Sequence, residues 1–417
     1  MWFSKTSSAS KRLQIISRPT NKQAENSLRL PNFGSIFGSL NPNTDQQMFK
    51  RLLLLNGISV ICVILFHAAG WGFVAMFSWA HQYMPAAATD FDQLGSIAYY
   101  VLQTIEQLVV FAVPSFLFVS GFFVAFATGR THSNMAWATI WARIKKMAIP
   151  YLIWSGALIF GLLLQGTIYS PDKYLKMLLT GQANPAYYYV PLLIQYYLLS
   201  PLIIPLAKKH WLPLLIVTGI IQIAVQLTYY PAILGFDQPM VQTLSTLIPK
   251  WLFLSRLFWF TLGVVVGFHL TELKLWLERV KWVWLTLAVV LLPLGVLEWE
   301  FYLHISGQQW MDPRETLLDS VYTLAVILSF LAFDQIASIP FSKQIADLGS
   351  KSYGIYLIHS PVMTFAARGI YHFAPAILGY QIIFQPIMII LGLGVPVIFM
   401  EIVNRSPARR FYQYLFG

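Results

Sequence analysis

Two histidines, a glutamate and a run of tyrosines sit inside stretches that are otherwise apolar, and all of them can hold or move a proton. His67 ends LNGISVICVILFH (Leu55–His67), and Glu106 follows Gln103 by three in another apolar run. Tyr187, Tyr188, Tyr189 and Gln195 belong to YYYVPLLIQYYLLSPL, while Ser352, Tyr356 and His359 form one helical stripe in SYGIYLIHSP. An imidazole takes up and returns a proton near neutrality without strong perturbation. A carboxylate in apolar surroundings either protonates or finds a cation. Polar groups at membrane depth face a bundle interior or a wet cavity, so these residues are candidates for chemistry inside a bilayer.

The elements that must position them are membrane helices. The 417 residues are 57% hydrophobic and 11% charged, with mean hydropathy +0.60, whereas soluble domains carry about 25% charged residues. Apolar runs of spanning length recur at 51–69, 98–128, 147–167, 187–206, 211–230, 250–270, 281–301, 317–336, 352–372 and 381–403. These predict an all-α, polytopic transmembrane bundle of about ten spans. The second run reads equally as two half-helices broken at Pro114, and a short amphipathic piece near 172–180 reads as lying on the membrane surface.

Charge sets the expected orientation. With the amino terminus cytoplasmic, inside segments hold 22 of the 28 Lys and Arg residues and both termini are inside. That bias accounts for the net charge of +11 without nucleic acid. The lone Cys62 excludes an intrachain disulfide. Residues 1–50 form a polar arm, read as a cytoplasmic tail with a transit segment as the alternative; 51–405 form the membrane domain and 406–417 a short basic cytoplasmic tail. No internal repeat stands out, which weighs against an inverted-repeat transporter.

Spacing sharpens the site. His67 lies ~24 Å along the helix from Arg51, towards the outer half. Asn56 precedes it by eleven residues, which leaves the two side chains about 20° apart on one face. Glu106 falls at a similar depth and is the expected partner of His67, with Ser120 near the same face. Gln195 shares a face with Tyr188 and suits a buried ligand carbonyl or hydroxyl. His359 lies ~12 Å in from its own helix start, near the midplane. Arg143, Lys145 and Lys146, before Pro150, suit the phosphates of a donor or serve orientation alone. Glu298, Glu300, His304, Asp312 and Asp319 read as an outer acceptor wall or as solvated loop residues. Helix packing is the rival explanation for the intramembrane polar groups as well.

In the order of these elements the chain resembles the acyltransferase 3 family of integral membrane O-acyltransferases. The elements are Gly57 and His67 of the first span, FVSGFF (Phe118–Phe123), the basic run into PYLIWS (Pro150–Ser155), VPLLIQYYLLSPL (Val190–Leu202), FTLGVVVG (Phe260–Gly267) and SYGIYLIHSP. The resemblance spans about residues 50–405 and implies some ten helices. It also implies an acyl-CoA donor entering from the cytoplasm, as co-substrate rather than bound cofactor, and His67 as the catalytic histidine. Where the family commonly places arginine before the first-span glycine, this chain has Asn56, which leaves Arg143 or Arg256 to meet the donor. Arg51 points well away from His67 and does not replace it.

The expected reaction moves an acyl group from the thioester to a hydroxyl of a carbohydrate, a glycolipid or another small acceptor, in a cell membrane. His67 is the expected base, oriented by Glu106, with an acyl-histidine relay also open; Gln195, Tyr356 or His359 are expected to steady the oxyanion, and no metal is needed. The alternatives are a transporter or flippase for a glycan or amphipathic solute, and a family member that binds donor without turnover.

Overall fold

The computed structural model describes residues 42–84, 93–129, 132–236, 238–311, 316–333 and 340–417. Asp312 and the arm at 1–41 therefore lie outside the described residues. Every regular element among those described is helical. In chain order they are α1 (Pro42–Phe73), α2 (Ile97–Val109), α3 (Ala112–Thr128), α4 (Trp137–Leu164), α5 (Pro171–Thr180), α6 (Tyr189–Lys209) and α7 (Trp211–Leu227). There follow α8 (Tyr230–Ile233), α9 (Pro239–Thr246), α10 (Leu257–Ser306), α11 (Leu317–Ala332), α12 (Ser342–Ser350), α13 (Ser352–Phe373), α14 (Gln381–Arg405) and α15 (Tyr412–Phe416).

Among the described residues, seven segments are long and apolar enough to cross a membrane: Met48–Ser78, Ile97–Thr128, Trp137–Leu164, Pro185–Lys209, Trp211–Ile233, Phe253–Ser306 and Gln381–Arg405. Sequence periodicity gives ten, and the difference has three physical sources. Phe253–Ser306 joins two expected spans into 54 residues, ~80 Å of helix against ~30 Å of hydrocarbon. It breaks at His269, whose φ of −108° and ψ of 17° leave the helical region. Leu317–Ala332 is apolar but only 16 residues long. Helix α13 has 22 residues, but its serines, tyrosines and histidines dilute its hydropathy. The protein is a multi-pass membrane protein.

The break in the second apolar region falls at Val110–Phe111. Pro114 removes the donor that would meet the Val110 carbonyl and its ring crowds that turn, so a new helix starts just before it. Elsewhere the helix surfaces are apolar, with Leu152, Phe160, Ile220 and Val289 exposed, while Gln103, Glu106, Gln107 and Ser59 are buried. That inversion of the usual inside and outside suits lipid as the surrounding medium.

Small residues set the closest helix contacts. A Cβ added at Gly121 would lie 2.1 Å from the Phe260 carbonyl oxygen, and one at Gly263 would lie 1.9 Å from that of Phe118. Helices α3 and α10 thus meet backbone to backbone, as membrane helices do through small residues. The same holds between α1 and α12, where Gly57 faces Ile345 and Gly349 faces Leu53.

Arg51 shows what the first basic residue of the membrane domain does. Its Nη2 donates to the carbonyls of Phe330 (2.8 Å), Leu331 (3.1 Å) and Phe333 (3.1 Å). It caps the C-terminal end of α11, where carbonyls lack helical partners and the helix dipole favours a cation. Arg51→Leu should cost about 3 kcal/mol, because charged hydrogen bonds are lost and buried carbonyls are left unmet. The check is the melting midpoint in detergent, and a midpoint within 1 °C of the unsubstituted protein (about the scatter of such a measurement) would show that the cap is dispensable.

Candidate active site

Helix α1 brings Asn56 and His67 to the same cavity, as their eleven-residue spacing requires. The cavity has a volume of about 630 Å³, within the range of small-molecule sites. Lys146, Ser352 and Tyr353 line one part of it. Glu106, Tyr188, Tyr189, Ser120, Tyr356 and Arg256 line it further in, with Gln222, Gln226, Asp319 and Trp310. His67 is half-buried at this wall.

The neighbour placed against the His67 imidazole is His359, with ring centroids 5.2 Å apart. His359 is fully buried and does not itself line the cavity. Its Nδ1 lies 2.7 Å from the Tyr356 carbonyl oxygen and 3.2 Å from that of Ile355. Only an N–H satisfies a carbonyl, so Nδ1 carries the proton and Nε2 presents a lone pair. No hydrogen-bond partner meets that Nε2 among the described residues. His359 thus backs the His67 ring without lining the cavity.

Aromatic rings continue from this pair. His359 packs on Tyr356 at 6.1 Å and Tyr356 on Tyr189 at 5.7 Å between centroids. Tyr189 Oη then lies 3.4 Å from Ser120 Oγ. One hydrogen serves that contact, and the second hydroxyl hydrogen remains to be donated into the cavity both residues line.

Other expected ligand contacts are used by the fold. Gln195 donates to the carbonyls of Trp251 (2.7 Å) and Pro191 (3.0 Å) and accepts from the Phe253 amide (3.1 Å). It ties α6 to the segment before α10 and does not line the cavity. The Tyr356 hydroxyl donates to the Ala186 carbonyl, which removes it as an oxyanion donor. The Tyr187 hydroxyl donates to the Leu357 carbonyl at 2.5 Å, so this tyrosine joins the turn before α6 to α13. Arg143 lies over the Tyr197 ring and donates to the Phe123 carbonyl at 3.3 Å, away from the cavity. Of the two arginines expected to meet a donor, Arg256 alone reaches the cavity; it lies over the Tyr188 ring at 5.2 Å and donates to the Lys250 carbonyl at 3.4 Å.

Two of the carboxylates expected at an acceptor wall, Asp319 and Glu298, are held by the fold. Asp319 forms a capping box with Thr316 at the start of α11 and accepts from Gln107 at 3.0 Å. Glu298 accepts from Thr316 Oγ1 (2.8 Å) and from Tyr302 (3.1 Å). Asp319 also borders the cavity.

Sequence reasoning passed over several glutamines. Gln385 donates to the Ala68 carbonyl at 3.1 Å, one residue beyond His67, and to Gln381 Oε1 at 2.9 Å. It locks α14 to the part of α1 that carries the histidine. Gln222 and Gln226 reach the cavity from α7. Their signal was legible as two amides one turn apart in an apolar span.

Comparison with known families agrees with this geometry. A family model for an acyltransferase domain, that of acyltransferase 3, matches residues 50–401. The chain belongs to that family and is a membrane acyltransferase. No curated protein and no solved structure gave a match.

Proposed function

We propose that this enzyme moves an acyl group, acetyl or a close homologue, from a CoA thioester to a hydroxyl of a carbohydrate, glycolipid or other small acceptor. The reaction takes place within a cell membrane that the chain crosses ten times, with both termini cytoplasmic. The single observation that carries this reading is the His67 imidazole on the wall of a cavity that Lys146 also lines, with His359 packed behind it.

The donor enters past Lys146, whose exposed ammonium suits phosphate oxygens. Asn56, standing where the family commonly has arginine, brings a polar amide but no charge to the cavity, and Arg256, Lys146 and Lys250 supply the cations there. His67 takes the proton of the acceptor hydroxyl as its oxygen bonds to the thioester carbon. The carbon–sulfur bond then breaks, and the thiolate leaves as CoA and takes the proton back from His67. The spare hydroxyl hydrogen of the Ser120–Tyr189 pair supports the oxyanion that forms between these steps. Holding donor and acceptor in one apolar cavity supplies proximity and keeps water from the thioester. Glu106 adds a carboxylate to the same wall and tunes the field at His67.

The test is direct. Purified protein in lipid nanodiscs, given acetyl-CoA, should release free CoA only when a hydroxyl acceptor is present, and the acceptor should gain the mass of one acetyl group. Uptake of a glycoside into vesicles with no donor, and no CoA release with any acceptor, would instead make the chain a carrier.

A further inference from the structure

Two buried acceptors on α7 have no hydrogen-bond partner. Gln222 and Gln226 are 4% and 3% exposed, and each Oε1 is unmet among the described residues. Both side chains line the cavity. They are four residues apart, so their Cβ atoms lie about 6 Å apart on one helix face. The Gln226 amide nitrogen is fixed, since it donates to Ser320 Oγ at 2.5 Å and to the Thr316 carbonyl at 3.3 Å. That leaves its Oε1 as the unmet acceptor of this side chain. The same cavity is lined by Trp310, half-buried, with its indole N–H also unmet among the described residues.

We infer that this α7 face is the acceptor subsite, and that it selects a ring-sized polyol by accepting two of its non-reacting hydroxyl hydrogens at Gln222 and Gln226. Buried carbonyls of this kind are satisfied by donors, and hydroxyls are the donors an acylation acceptor has in surplus. Trp310 adds an apolar ring face and one N–H donor, the amphipathic combination a sugar ring presents in reverse. A monohydric alcohol fills neither acceptor, because its one hydroxyl is the reacting group. The site therefore discriminates against it, as sites with buried polar groups reject analogues that leave those groups unpaired. This inference rests on the acyl-transfer reading for its kinetic test but not for its binding test.

The probes are a panel of methyl hexosides (gluco, galacto, manno and N-acetylglucosaminide) and 1-hexanol. The variants are Gln222→Met and Gln226→Met, which keep side-chain length and remove the acceptor. At least one hexoside should be acylated by the unsubstituted protein, with its KM raised about tenfold in each variant. The KM for acetyl-CoA should stay within twofold, and turnover with 1-hexanol should not fall, because Met leaves no acceptor unpaired. The same hexoside should raise the melting midpoint of the unsubstituted protein without donor, and less in the variants. An equal loss with hexoside and 1-hexanol would make the glutamines structural and overturn the subsite. Unchanged KM in both variants, or no stabilisation and no acylation with any hexoside, would overturn it as well. Stabilisation by a hexoside that the variants lose, with no CoA release under any condition, would uphold the subsite and sink acyl transfer instead.

Discussion

His67→Ala should lower acyl transfer by about 10²–10⁴-fold, the range ascribed to a positioned general base. The loss should appear in kcat, with the KM for the donor little changed, because Lys146 and the rest of the cavity wall remain. Folding should survive, since His67 is half-buried at a cavity rather than packed in a core, where a deletion would leave a new void. The companion His359→Phe keeps a ring beside His67 but removes the Nε2 lone pair. It should give a smaller kcat loss, and adding back a lone pair as His359→Gln should recover part of it. Rates are read from CoA release at saturating acceptor, and folding from gel filtration and thermal melting. Full activity in His67→Ala would end the assignment of this histidine, and a loss of folding in place of activity would make the imidazole pair a packing contact.

Composition was enough to read a helical membrane bundle from the sequence, because lipid allows few other ways to satisfy a buried backbone. The shared face of Asn56 and His67 was legible as well, since both lie on one uninterrupted helix and helical geometry fixes their relation. Contacts between helices were not. Nothing in the local pattern says that His359, some 290 positions along the chain from His67, packs against it while Gln195, an equally polar candidate, binds backbone instead. A glutamine is equally able to meet a ligand or a frayed helix end, and only the tertiary packing chooses. Helix count was blurred for a similar reason. Hydropathy weighs Ser352–Phe373 as too polar for a span, yet several of its polar side chains are met internally, as the bonds of Tyr353 to Met147 and of Ser360 to Asn184 illustrate.

Gly263→Leu should prevent the protein from accumulating in a folded form, and this follows from backbone geometry rather than from chemistry. The atoms that a Cβ at position 263 would strike belong to the Phe118 main chain, at 1.9, 2.8 and 3.0 Å. A flexible side chain would swing aside, whereas a helix carbonyl cannot without moving its helix. Even alanine requires α3 and α10 to separate until 1.9 Å becomes at least 3.0 Å. That shift would also open the reciprocal contact at Gly121 and loosen the apolar cluster holding Phe118 and Phe260, both fully buried. Overpacking of this kind costs about 1–3 kcal/mol when neighbours adjust and more when they cannot. The separation would move Ser120 of α3 relative to Trp259 of α10, two residues of the cavity wall. Gly263→Ala should therefore melt lower and lose activity together, while Gly263→Leu should run as aggregate on gel filtration. Gly156→Ala in α4 is the matched control, because nothing lies within 4 Å of its added Cβ, and alanine in a helix is favoured by about 0.5–1 kcal/mol. If Gly263→Leu ran as a monodisperse peak and melted with the unsubstituted protein, α3 and α10 would not meet through these glycines, and the wall that holds Ser120 near Tyr189 would have to be built differently.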